Sequence, residues 1–353
     1  MKHFQFRTLL CLIFPVMVAQ SACGQFDESS DGMEWLVPRE KVFDGGPPKD
    51  GIPALVSPRF IPASLAEYLD DEDLVIGLPD GNQRAYPHAI LNWHEIVNDH
   101  LDGQPVSLTY CPLTGSGIVF SGSIKDRETT FGVSGLLYSS NLIAYDRATD
   151  SYWSQMKLLC VGGTSRGTTA DVLPAIETSW KTWKQMFPES EVLSMETGYR
   201  RDYQRYPYGP YKESEYLLFA VDRDDRRLHR KERVLGIISN ETVRVYRIGS
   251  FGRDRVVIED RIGEVEFVIA GSTPENYAVA YERRLEDGTT LSFRPAGDTG
   301  TAVMVDSEGN SWDIFGRAVD GIRSGEQLTP TRSFIAYWFA WAAFYPEVEI
   351  YGE

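Results

Sequence analysis

Short runs of alternating apolar and polar residues fill most of the chain. This is the period of strands with one buried face. Asp73-Leu-Val-Ile-Gly77 reads as a strand, Asp80-Gly81-Asn82 as a turn, and Arg84-Ala-Tyr86 as the returning strand. Further strands are predicted at 105–110, 117–121, 129–134 and 142–146. Helical periodicity occurs in three places. Over 89–101, Ile90, His94, Val97 and Leu101 fall at i, i+4, i+7 and i+11, which turns His94 inward. Trp180, Trp183 and Phe187 form a second stripe, stopped by Pro188. Phe334, Trp338, Trp341 and Tyr345 form a third, stopped by Pro346.

The pattern repeats. Val75-Ile-Gly77 matches Val234-Leu-Gly236, and Arg84-x-Tyr86 matches Arg244-x-Tyr246. Asp146 and Ser151 match Asp306 and Ser311, and Trp180, Trp183 and Pro188 match Trp338, Trp341 and Pro346. The offset stays between 158 and 160 residues throughout. Two tandem units are therefore expected, at 64–196 and 225–353, each an antiparallel strand set with a terminal Trp-rich helix. A Tyr-rich connector at 197–224 joins them. The fold class is α+β and strand-rich. Arg84 and Arg244 are expected to pair with Asp146 and Asp306 as duplicated scaffold. The second unit is a degenerate copy: it lacks the helix at 89–101 and has Ile269-Ala-Gly-Ser-Thr-Pro274 where the first has Thr109-Tyr-Cys-Pro-Leu-Thr-Gly-Ser-Gly117.

The N-terminus departs from this pattern. Lys2 and Arg7 precede an apolar run from Thr8 to Val18, and Ala19-Gln-Ser-Ala-Cys23 brings small residues. Residues 1–22 read as a secretory signal, too short to span a bilayer with wet flanks. Cleavage before Cys23 would leave a lipidated cysteine as the anchor; ordinary cleavage after Ser21 is the alternative. Residues 23–63, rich in Pro, Gly and charge from 33 to 51, are expected to be a polar tether. The chain has 353 residues, with 51 acidic and 35 basic side chains and a net charge of -16. Loss of Lys2 and Arg7 with the signal, and of no acid, makes the mature protein -18. That balance excludes nonspecific nucleic-acid binding and attraction to anionic lipid. Membrane contact is expected only through the N-terminal anchor, and the partner is an envelope protein or a small ligand.

Three cysteines survive processing: Cys23, Cys111 and Cys160. Cys111 admits four readings. It is a buried small hydrophobe, a ligand to copper or zinc, a reactive thiol, or a disulfide partner of Cys160. As a ligand it would act with His94 and Cys160, with His88, Glu95, Met156 and Asp99 as further donors. As a nucleophile or redox thiol it would rely on His94 as base or thiolate partner. Asn92, Glu95 and Asn98 are candidate supports around that pair. No Gly-x-Ser-x-Gly elbow, phosphate loop, dinucleotide fingerprint, H-E-x-x-H or EF-hand loop is present. A plain binding or scaffold module, with every motif serving packing and turns, is the remaining alternative.

Arg84-Ala-Tyr-Pro87, Leu91-Asn-Trp-His-Glu-Ile-Val-Asn-Asp99, Thr109-Tyr-Cys-Pro-Leu113, Val133-Ser-Gly-Leu-Leu-Tyr138 and Ser151-x-Trp-Ser-Gln155 follow in order. With Lys231-Glu-Arg-Val-Leu-Gly236 and Trp338-Phe-Ala-Trp-Ala342, this chain resembles the bacterial and archaeal family called domain of unknown function 3179, over nearly all its mature length. The resemblance implies an exported or envelope-attached protein and assigns no chemistry. The family's motif commonly continues Tyr-Cys-Pro-Leu-Cys. Here the last position is Thr114, which puts a two-cysteine centre at this loop in doubt.

Overall fold

Leu74–Leu78 and Arg84–Pro87 pair antiparallel, as their alternation predicts. The computed structural model describes residues 32–353 except 80, 298 and 299. The expected signal sequence and Cys23 lie outside the described residues. Glu34–Glu353 form one compact unit. Among the described residues no helix is long and apolar enough to cross a membrane.

Among the described residues strands dominate, with three short α-helices: α1 (His88–His94), α2 (Trp180–Met186) and α3 (Trp338–Phe344). Strand orders recur between the halves. In the first, Ile176–Ser179, Leu74–Leu78, Arg84–Pro87 and Glu191–Leu193 lie side by side. In the second, Arg332–Tyr337, Arg233–Ser239, Thr242–Arg247 and Glu349–Ile350 do the same. Within each of these sets of four only the last pairing is parallel. The hairpin Ile96–Leu101/Gln104–Cys111 continues into Ser116–Ser121, as Val256–Ile262/Val265–Ser272 continues into Tyr277–Glu282. A four-strand meander from Phe131 to Gly162 has a counterpart from Phe293 to Asp320.

Specific contacts recur as well. A Cβ on Gly77 would overlap the Trp183 ring, and one on Gly236 would overlap Trp341, so each glycine seats a tryptophan of the following helix. Arg84 Nη1 donates to Asp99 Oδ2 at 3.0 Å, and Tyr86 donates to the same oxygen at 2.7 Å. Arg244 and Tyr246 repeat this on Asp260 Oδ2 at 2.7 and 2.6 Å. The expected partners Asp146 and Asp306 are used otherwise: each accepts an indole N–H, from Trp153 at 2.9 Å and Trp312 at 2.8 Å. The arginines choose the acid on the neighbouring hairpin because it is the one within reach of their strand.

The halves interlock through their terminal helices. The rings of Trp183 and Phe187, at the end of α2, pack on Phe315 of the second half, 6.3 and 5.5 Å between centroids. From α3, Phe344 packs edge-on against Tyr138 of the first half at 5.4 Å, and Tyr345 donates to Met156 O at 2.8 Å. The two largest cores thus mix residues of both halves, while two smaller ones each stay within one half. This exchange is why the chain closes into one body.

Three expectations need correction. The helix foreseen over 89–101 stops at His94, and Ile96–Leu101 is a strand. Glu95 breaks the helix with φ of 56°, and the β-branched Ile96 and Val97 then pair with Gln104–Cys111. The third stripe is likewise divided: Phe334 lies on strand Arg332–Tyr337, and only Trp338–Phe344 is helical. Residues 42–62 are not a free tether. Val42–Asp44, Leu55–Val56 and Phe60–Pro62 each add to a sheet edge, on Phe131–Tyr138, Ile96–Leu101 and Glu191–Leu193 respectively. Edge pairing satisfies the backbone groups there despite the Pro- and Gly-rich composition.

Candidate functional site

Helix α1 runs from His88 to His94 and ends in Glu95. The Glu95 backbone is left-handed, a conformation that carries strain for a non-glycine residue. Its N–H still closes the last helical turn on Leu91 O, and its carbonyl accepts from Tyr110 N at 2.6 Å. The strained turn therefore joins the helix end to the strand that ends in Cys111. It sets the Glu95 carboxylate near the Cys111 thiol.

Both groups are buried. Burial pushes the Glu95 carboxyl up to about 7, and the one hydrogen bond it accepts, from Tyr208 at 3.3 Å, only partly offsets this. Burial, and then the negative charge of Glu95, push the Cys111 thiol up to about 11. Cys111 is therefore a protonated thiol at neutral pH. Its Sγ lies 3.7 Å from Ser140 O, a weak contact. Thr114 belongs to a satisfied buried network. Its hydroxyl lies 2.8 Å from Ser116 Oγ and accepts from Asn141 at 2.9 Å, while Gln155 receives Ser116 and Asn141. That knot fixes the turn after Cys111.

The connector covers this centre. Tyr206 donates to Pro112 O at 3.4 Å, Tyr208 to Glu95, and Tyr211 to Leu113 O at 3.0 Å. Tyr203 and His94 Nε2 are 2.7 Å apart. The other nitrogen of His94 is 2.8 Å from Pro53 O. With both ring nitrogens engaged and its pKa lowered by burial, His94 is a pin between connector, helix and N-terminal segment. It does not serve as base to Cys111.

The remaining candidates separate further. Cys160 lies on strand Leu159–Gly162, near Asp146 and Ser151, with its thiol pushed to about 12 by burial. None of the groups that shift Cys111 recurs there. Both are free thiols, which removes the Cys111–Cys160 disulfide. Among the described residues no group of three or more His, Cys, Asp and Glu side chains is arranged to hold a metal ion. The expected copper or zinc set of His94, Cys111 and Cys160 is therefore not assembled. Cys111 contacts Ser140 O, Cys160 contacts Gly162 O, and His94 is held by Pro53 O and Tyr203. Asn98 is a strand clamp. It donates to Leu55 O and Phe131 O and accepts from Ser107 and Phe131 N, so it does not orient the pair. Asn92 remains on the α1 face that leads to Glu95.

His88, passed over in favour of His94, stands one turn before Asn92 on that face. Its ring is 4.4 Å from the Tyr110 ring, and its Nε2 is 3.5 Å from Glu177 Oε2. Burial alone would raise Glu177, but Arg233 and His88 outweigh it and hold the carboxyl below its usual range. The i, i+4, i+7 spacing of His88, Asn92 and Glu95 was the available signal.

The second half carries the same hairpin without this chemistry. Its turn register, Ile262 opposite Val265, matches Leu101 opposite Gln104. Counted from that turn, Cys111 corresponds to Ser272 and Glu95 to Val256. At the place of α1 stands a single 3-10 turn, Ile248–Ser250. No curated protein and no solved structure matches the chain. A family model described as protein of unknown function (DUF3179) matches residues 49–348, and the chain belongs to that family.

Proposed function

We propose that the protein is exported, is held at the cell envelope by its N-terminus, and works through a covered thiol–carboxylate centre made of Cys111 and Glu95. The observation that carries this reading is the contrast between the hairpins. One scaffold is built twice, yet only the first copy buries a carboxylate and a thiol at positions where the second has Val256 and Ser272. A buried carboxylate and a left-handed glutamate both cost stability, and folding of the hairpin requires neither. The two halves are copies of one ancestral unit, of which the first kept a site. The export half of the proposal rests on Lys2, Arg7, the apolar run and Cys23.

The chemistry is a proton transfer. Glu95 takes the proton of Cys111: the S–H bond breaks, an O–H bond forms on the carboxylate, and a thiolate remains. While Glu95 is ionised its charge opposes thiolate formation. Once it holds the proton, that opposition is gone, so the pair ionises as a coupled unit. The product thiolate is a nucleophile toward an electrophilic group on an envelope substrate.

The test is the pH dependence of iodoacetamide alkylation at each thiol, read by mass spectrometry, in wild type and Glu95→Gln. The Cys111 midpoint is expected to fall from about 11 in the variant, while Cys160 holds near 12 as internal reference. An unmoved Cys111 midpoint, or both thiols moving together, would refute the pairing.

A further inference from the structure

The α1 face that leads to Glu95 is short of hydrogen-bond donors. His88 and Asn92 share it at i, i+4, and Glu95 closes it. All three side chains are more than nine-tenths buried. Asn92 Oδ1 has no hydrogen-bond partner among the described residues, and Glu95 accepts only the long bond from Tyr208, while His88 Nε2 is turned to Glu177. An unpaired buried acceptor destabilises a fold, and here they gather on one face beside the Cys111 thiol.

Aromatic rings border the same face. Tyr110 lies against His88, and the Tyr206 and Tyr208 rings stand 5.6 Å apart above Glu95. The charge nearby is largely matched: Glu177 is held by Arg233 and His88, and Lys212 Nζ stands over the Tyr206 ring, 4.3 Å from its centroid. Neither a strong anion nor a strong cation is called for. Acceptors without donors, ring faces and balanced charge together describe the complement of a sugar ring, whose hydroxyls donate and whose apolar side stacks.

The way in is also built. The connector is fastened firmly at Tyr203, 2.7 Å from His94, and at Tyr211, 3.0 Å from Leu113 O. Gln204 donates to Tyr68 O at 2.9 Å and Arg205 O accepts from Trp93 Nε1 at 3.1 Å, and beyond them Tyr206 and Tyr208 hold on at 3.4 and 3.3 Å. The weakly held stretch is therefore 206–210, and a ligand reaching Glu95 there has two long side-chain bonds to break.

We propose that the His88–Asn92–Glu95 face, beneath the 206–210 strap, binds a neutral sugar-type ligand whose hydroxyl or amide N–H groups donate to Asn92 Oδ1 and Glu95. This rests on the reading of Glu95 and Cys111 as the working centre and supplies its ligand class. The experiment is thermal unfolding of the mature chain with methyl glucoside, N-acetylglucosamine, ethylammonium and acetate as separate probes. At least one sugar is expected to raise the wild-type Tm, by about 2 °C at roughly tenfold excess over Kd. The same sugar should slow iodoacetamide labelling of Cys111. Asn92→Leu should melt above wild type without sugar and lose the sugar response.

No response to either sugar, a response retained in Asn92→Leu, or a response to ethylammonium or acetate instead would each overturn the ligand class. So would an Asn92→Leu chain that melts lower or fails to fold, since Asn92 would then be structural. The failures are separable. A silent sugar panel with an alkylation midpoint that still moves in Glu95→Gln removes the ligand and leaves the centre. An unmoved midpoint with a sugar response removes the thiol chemistry and leaves a binding face.

Discussion

Glu95→Gln should stabilise the protein, and the gain should depend on pH. In the folded chain the carboxyl is raised from 4.5 to about 7, chiefly by burial. The unfolded chain therefore ionises first as pH rises. Below pH 4.5 both states hold the proton and the residue is neutral to stability. Between 4.5 and 7 the unfolded state gains from ionising while the folded state does not, so stability falls. Above 7 the loss levels off. A rise of this size is worth about 3 kcal/mol at the plateau. Glutamine has the same shape and no charge, so it escapes that loss. Urea unfolding of wild type and variant at about pH 5 and about pH 8.5 gives the comparison. The advantage of the variant should grow by about 2–3 kcal/mol from the lower to the higher pH. An advantage that stays constant within about 0.5 kcal/mol would mean a solvated carboxylate, and the argument for a covered centre would fail.

Other perturbations test the surrounding walls. His94→Ala removes the contacts to Pro53 O and Tyr203 and should cost about 2–4 kcal/mol in urea unfolding, with the alkylation midpoint of Cys111 unchanged; a moved midpoint would restore a Cys–His pair. Gly77→Ala and Gly236→Ala drive a Cβ into Trp183 and Trp341, and each should lose about 3 kcal/mol, seen as a lower Tm. Asp99→Asn and Asp260→Asn each weaken one Arg–Tyr–Asp group, and comparable losses of about 2–3 kcal/mol are expected because the two groups have the same partners.

Strand positions were legible because alternation in a half-buried sheet is a local property. The strands around Val75, Arg84, Tyr110, Val119 and Ala144 all form where the pattern puts them. The errors lie where a local pattern serves two structures. Ile90, His94, Val97 and Leu101 fit a helical wheel, yet Val97 and Leu101 also fit an alternating strand, and pairing with Gln104–Cys111 decides the matter. The Pro- and Gly-rich segment at 42–62 reads as linker because its strands exist only against partners far along the chain. The candidate site was half legible. Cys111 and Glu95 were both named, but the wheel that promoted His94 hid His88. The Tyr-rich connector carried no sign that its hydroxyls reach Glu95 and the carbonyls after Cys111.

The doubled scaffold makes one comparison possible that a single domain would not. Shared features between the halves are those folding needs: a glycine under Trp183 and under Trp341, an aspartate under each Arg–Tyr pair, and an aspartate accepting the indole N–H of Trp153 and of Trp312. Against that background a difference at a matched position has no scaffold reason. Helix α1 in place of the 248–250 turn, Glu95 in place of Val256, and Cys111 in place of Ser272 are such differences, and all three meet at one point. The partnerless Oδ1 of Asn92 lies on the same helix. Costly features that are absent from the matching half, and that converge on one thiol, are better explained by a ligand or substrate than by the fold.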